Sequence, residues 1–120
     1  MVKLRIDGKE YGLRMDMYAM EKIEEDFGSL EELFDKLRTN STKAIRILFK
    51  ALANSELSFE GKEETITGDE LKRLRVSAIA GIGRALKVAV EEGMKSETTG
   101  GAEADDEVFD VYLDEIERKN

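Results

Sequence analysis

The dipeptide Asp7-Gly8 places the firmest constraint on how this chain folds. It separates two short runs, Val2-Lys3-Leu4-Arg5-Ile6 and Lys9-Glu10-Tyr11-Gly12-Leu13. A two-residue type I′ turn needs positive φ at both central positions, which Asp-Gly tolerates. The turn then fixes the register. Ile6 faces Lys9, Arg5 faces Glu10, Leu4 faces Tyr11 and Val2 faces Leu13. One face carries Val2, Leu4, Tyr11 and Leu13. The other sets Arg5 against Glu10, opposite charges across the strands. An isolated hairpin is marginal in water, so the apolar face must pack on something else.

Helical patterning supplies that partner. Asp16 is placed to cap a helix over about Met17 to Phe27, with Met17, Met20, Ile23 and Phe27 inward and Glu21, Glu24, Glu25 and Asp26 outward. Gly28 ends it. Ser29-Leu30-Glu31-Glu32 reads as a capping box for a short second helix with Leu30, Leu33, Phe34 and Leu37 inward. A third helix is predicted over Thr42 to Asn54, burying Ala44, Ile45, Leu48, Ala51 and Leu52. Ser55 to Ile66 reads as a loop or a second small hairpin around Gly61. Thr67-Gly68-Asp69-Glu70 is another capping box, opening a helical stretch with Leu71 and Leu74.

The longest helical pattern runs from Val76 to Glu92. A large stripe, Ile79, Ile82, Leu86 and Val90, lies beside a small one, Ala78, Gly81, Ala85 and Ala89. So wide an apolar arc belongs to a central helix or to one shared with a second subunit. Ala78, Gly81, Ile82, Ala85 and Ala89 are therefore the candidates for self-association.

Beyond Gly93 the apolar periodicity stops. Residues 94–107 read as a disordered acidic linker. Residues 108–120 read as a short amphipathic helical tail, because Phe109, Tyr112, Leu113 and Ile116 recur at helical spacing. Two readings stay open: the helix docks back on the body of the chain, or these four are partner-binding anchors, in the manner of a helix laid into a groove. The expected fold class is α+β, mainly α. An N-terminal β-hairpin packs on a compact bundle of four to five helices within residues 1–93, and a flexible acidic C-terminal tail follows.

Chemistry is poorly provided for. The chain has no Cys, so disulfide and thiolate chemistry are excluded. It has no His, the usual general base near neutral pH and the commonest metal ligand. Carboxylates are plentiful, but Glu24-Glu25-Asp26 and Asp105-Asp106-Glu107 read as solvated runs, not as a pair with divided pKa values. No EF-hand spacing occurs. Gly81-Ile82-Gly83-Arg84-Ala85-Leu86 starts like a dinucleotide fingerprint, yet it lacks the third glycine and lies inside a helical pattern. No catalytic residue, cofactor or metal is expected, and the chain is not read as an enzyme.

The net charge of −8 disfavours phosphate backbones and anionic membranes as partners. Lys72, Arg73, Arg75, Arg84 and Lys87 form the one basic cluster, and pairing with Glu70, Glu91 and Glu92 is expected to neutralise it. No apolar run is long enough to span a bilayer, and no apolar signal core follows Met1.

Taken in order, these segments resemble a family. A hairpin carrying Gly8-Lys9-Glu10-Tyr11 leads to a helix with Ala19, Glu21, Ile23 and Glu24. Phe27-Gly28-Ser29-Leu30-Glu31-Glu32 follows, then Ile47-Leu48-Phe49-Lys50-Ala51-Leu52 and a final helix before a polar tail. The layout is similar to the tail assembly chaperones of long-tailed bacteriophages, in the version found in phages and prophages of Gram-positive bacteria. It covers about Met1 to Gly93, with an echo in Val111-Tyr112-Leu113-Asp114-Glu115-Ile116.

The resemblance implies a small, self-associating, non-enzymatic helical protein. It would act in the host cytoplasm and be absent from the mature virion. Its implied partners are the tape-measure protein, which it keeps soluble while the tail tube assembles, and the tail tube protein. Many members are also made in a longer, frameshifted form, and Arg118-Lys119-Asn120 is compatible with a slippery codon run. Two alternatives stay open at the level of sequence. One is another phage structural component, a head–tail connector or tail-completion protein. The other is an acidic regulatory or inhibitor protein.

Overall fold

A computed structural model describes residues 1–39, 41–95 and 107–111, with the side chains of Glu107 and Val111 left aside. The fold is α+β and mainly α. Strands β1 (Val2–Ile6) and β2 (Lys9–Leu13) are followed by helices α1 (Met17–Phe27), α2 (Leu30–Arg38) and α3 (Thr42–Phe59). Two 3₁₀ turns, Asp69–Leu71 and Val76–Ala78, lead into α4 (Ile79–Gly93), and β3 (Glu107–Val111) comes last.

The hairpin forms in the register expected, Val2 opposite Leu13 through Ile6 opposite Lys9. Asp7 has φ 51° and Gly8 φ 90°, the left-handed geometry that the turn requires. Val2, Leu4 and Leu13 are buried and Tyr11 is half-buried, its ring set edge-on to Phe49 at 5.3 Å. α3 is the axis of the molecule. It packs on α1, α2, α4 and β2, while α4 also lies against β1 and β3. Phe49, Leu48 and Leu52 of α3 and Leu86 and Val90 of α4 fill the centre, together with Leu4, Ile23 and Leu33.

The caps form from the residues the sequence supplies. Asp16 Oδ1 accepts from the Ala19 amide at 2.9 Å and Ser29 Oγ from the Glu32 amide at 3.1 Å. At the third site Thr67 Oγ1 accepts from the Asp69 amide, while the Glu70 carboxylate takes the amides of Thr67 and Gly68. The segment opened there is a 3₁₀ turn, not the expected α-helix.

Several expectations change. Met17 is 75% exposed, because α1 turns Ala19 and Ile23 to the core and leaves its first residue outside. α3 continues five residues past Asn54, so Ser55–Phe59 is helix, and no strand forms between Gly61 and Ile66. The polar residues that hid this extension are buried with partners. Asn54 donates through Nδ2 to the Ile66 carbonyl and accepts the Ile66 amide at Oδ1, both at 2.9 Å. Ser55 Oγ donates to Asp16 Oδ1 at 2.8 Å, and the Arg14 guanidinium meets Glu56 at 2.8 Å. At 18 residues α3, not α4, is the longest helix among the described residues.

The largest correction concerns the C-terminal segment. Residues 107–111, the end of the expected linker and the start of the expected helical tail, form β3. It pairs in parallel with β1, Leu4 opposite Phe109, giving the sheet order β2-β1-β3. A free β1 edge leaves backbone groups unsatisfied, and β3 satisfies them. Arg5 bridges the outer face, reaching Glu10 and Asp110 at 2.8 Å each. Most of the expected linker and the remainder of the expected tail lie outside the described residues. No described helix is long and apolar enough to cross a membrane.

Candidate interaction surface

The candidate residues named from sequence fall into three groups. Ile82, Ala85 and Ala89 are buried in the chain's own core, while Ala78 and Gly81 are half-buried. The small stripe of α4 is thus largely consumed inside the chain, where it lets the helix approach its neighbours, and is not an open face for a second copy. Phe109 lies on β3 and packs partly buried against the core, so it is not an anchor on a helical tail. Tyr112, Leu113 and Ile116 lie outside the described residues.

A different surface stands out, on the other side of α4. Helices α2 and α4 both rest on α3, which leaves a cleft between them. The cleft has a volume of about 370 Å³ and is lined by Phe34, Leu37 and Arg38 of α2 and Ala80, Gly83, Arg84 and Lys87 of α4. The four α4 positions are spaced i, i+3, i+4 and i+7, a single helical stripe. A Cβ added at Gly83 would meet nothing within 4 Å, so the floor is open there.

A second groove of about 260 Å³ opens where the 3₁₀ turns meet α3 and α4. Ile45, Leu71, Leu74, Val76, Ile79 and Ile82 give it an apolar floor, and Arg46, Lys72 and Arg75 stand around it. Val76 is 79% exposed at its edge. Both grooves are shallow and open, with volumes around or below the ~300–1,000 Å³ usual for small-molecule pockets.

The electrostatics of this face are distinctive. Between Leu71 and Val90 the sequence has five basic residues and no acidic one. Neither groove is lined by a carboxylate. For Lys72, Arg73, Arg84 and Lys87 the expected pairing is absent among the described residues, because two of the carboxylates proposed for it are engaged elsewhere. Glu70 holds backbone amides at the start of its 3₁₀ turn, and Glu92 faces the N-terminal amine at 3.8 Å. The side chains of Lys72, Arg73, Arg84 and Lys87 make no ion pair among the described residues. The cue in the sequence was the missing acid across that stretch, more than the basic residues themselves.

A third concavity, of about 290 Å³, lies between the hairpin and the end of α3. Lys3, Lys9, Glu10, Glu56, Glu60 and Lys62 line it with mixed charge. Burial raises the Glu56 carboxyl above its ordinary range, a hydrogen bond with Glu60 raises it further, and Arg14 opposes both. Arg14 also stacks on the Phe59 ring, its guanidinium carbon 3.5 Å from the centroid. These contacts tie the end of α3 to the segment after β2, a structural task. No group of three or more potential ligands is placed to hold a metal among the described residues. No protein-family model, curated protein or solved structure matches the chain.

Proposed function

We propose that the chain is a tail assembly chaperone of the long-tailed phage type. It binds apolar helical stretches of the tape-measure protein and keeps them soluble while the tail tube assembles. The observation that carries the reading is the pair of open, apolar-floored grooves flanking the N-terminal half of α4. They offer shallow seats for side chains from a helix. A long partner presenting many such stretches would be coated through many weak contacts, whose avidity exceeds that of any single one. The resemblance in the order of hairpin, capped helices and polar tail supplies the identity of the partner.

In this reading the protein is non-enzymatic, works in the host cytoplasm and leaves before the virion is complete. Self-association, which the resemblance implies, would use surfaces other than the buried stripe of α4.

Co-expression with the neighbouring tape-measure product tests the proposal. The partner should move from the pellet to the soluble fraction and co-purify with this chain. A partner that precipitates equally with and without it would overturn the reading. Recovery of the chain in stoichiometric amount from purified virions would do so as well, in favour of a structural tail component.

A further inference from the structure

We infer that the cleft between α2 and α4 is a seat for an acidic amphipathic helix of a partner protein. This deepens the proposed function and rests on it for the use of the surface, not for the chemistry of the ligand.

Charge is the first argument. Many basic side chains on this acidic protein have carboxylates beside them: Arg5 with Glu10 and Asp110, Arg14 with Glu56, Lys22 with Glu25, Lys50 with Asp26, and, at the grooves themselves, Arg38 with Asp35 and Arg46 with Asp69. Along the rim of the cleft, Arg84 and Lys87 make no ion pair among the described residues, and Lys72 stands likewise beside the second groove. Local positive charge on a molecule of net charge −8 selects for carboxylates placed against that face alone.

Shape is the second argument. Ala80, Gly83, Arg84 and Lys87 follow one stripe of α4 over roughly 10 Å at 1.5 Å per residue, which matches about two turns of a bound helix. Small residues at Ala80 and Gly83 let large side chains from the ligand settle between Phe34 and Leu37 on one side and α4 on the other. A strand would need a free sheet edge, and these grooves are bounded by helices and 3₁₀ turns. A nucleic acid would meet a largely aliphatic floor, with Phe34 as its one aromatic ring, and repulsion from the rest of the molecule.

Two synthetic peptides test this. Each is about 18 residues long with the same leucine and phenylalanine stripe, one with a glutamate polar face and one with a lysine polar face. Binding to the full chain is followed by fluorescence anisotropy. The acidic peptide should bind at least about tenfold more tightly than the basic one, and more weakly as salt rises.

The double reversal Arg84→Glu/Lys87→Glu, at exposed side chains, should erase or invert that preference. Gly83→Leu, which fills open space, should weaken the acidic peptide without lowering thermal stability. Lys22→Glu/Lys50→Glu, on a distant surface, should change nothing. Equal binding of the two peptides, or a preference that survives the reversal, would overturn the inference. So would tighter binding of a single-stranded oligonucleotide through the same residues. Self-association lost in the double reversal would also overturn it, assigning the face to a second copy.

The co-expression assay separates the two levels of argument. If the wild type and the double reversal both keep the tape-measure product soluble, the acidic-helix seat fails and the chaperone reading stands. If the wild type fails, the chaperone reading fails, whatever the peptides do.

Discussion

Three glycines of α4 should respond in opposite directions to the same substitution. A glycine in a helix interior costs about 1 kcal/mol relative to alanine, so Gly→Ala is ordinarily a gain. At Gly81 and Gly83 an added Cβ meets nothing within 4 Å, and the gain should be realised. At Gly93 the same Cβ would sit 2.4 Å from the Met15 carbonyl oxygen and 2.5 Å from the Met15 Cβ. Neither atom is the end of a flexible chain. To relieve the contact, the last turn of α4 must move away from the segment between β2 and α1.

Overpacking of that kind costs about 1–3 kcal/mol. At the last residue of the helix the propensity gain is only a part of its interior value. Gly93→Ala should therefore lose about 1–2 kcal/mol, while Gly83→Ala gains up to about 1 kcal/mol. In a domain of this size each kcal/mol moves the melting temperature by roughly 4–8 °C, so the two variants should separate clearly. Urea and thermal unfolding followed by circular dichroism give both numbers. A Gly93→Ala protein as stable as the wild type would refute the close approach of α4 to Met15 and the packing built on it.

Other outcomes follow from contacts described above. Asn54→Ala leaves the Ile66 amide and carbonyl without their partner, and should cost about 2–4 kcal/mol, with fast hydrogen exchange at the Ile66 amide. Phe109→Glu should detach β3 and speed hydrogen exchange of the β1 amides that face it by about tenfold or more, leaving the β1–β2 hairpin amides protected.

The Glu56 carboxyl has a folded-state pKa raised first by burial and then by Glu60. The folded state therefore holds this proton to higher pH than the unfolded chain does. Its contribution is fully present below the unfolded pKa and is lost as pH rises through the folded one. Unfolding measured across the mildly acidic range should show that decline in the wild type and a flatter profile in Glu56→Gln. An unchanged slope would remove Glu56 as its source.

The parts of the fold legible in sequence were those fixed by local chemistry. A two-residue turn admits one register, and a capping side chain marks where a helix starts, so β1, β2 and the starts of α1 and α2 could be read directly. What escaped was decided by partners distant in sequence. Asn54-Ser55-Glu56 has the look of a helix end, but Ile66, Asp16 and Arg14 supply each side chain with a bond, and α3 runs on.

Residues 107–111 carry two compatible patterns. Val108, Phe109 and Val111 fit a strand, while Phe109 and Tyr112 begin a helical spacing. The open edge of β1 selects the strand. The basic cluster was visible, but the lack of ion pairs at Lys72, Arg73, Arg84 and Lys87 among the described residues was not. That depended on Glu70 turning to backbone amides and Glu92 to the chain's own amine.

The parallel pairing of β3 with β1 also sets an order in time. Arg5 and Asp110 meet across 105 positions of sequence. A ribosome adds about 5–20 residues per second, so β1 is made roughly 5–20 s before the strand that covers its second edge. The hairpin and helices can assemble during that interval, because their contacts lie within the part already made. The closure of so long a loop by β3 is the most non-local strand pairing among the described residues, and should form late. For those seconds each new molecule carries an open strand edge, and crowding of nascent chains is the condition under which that edge finds the wrong partner.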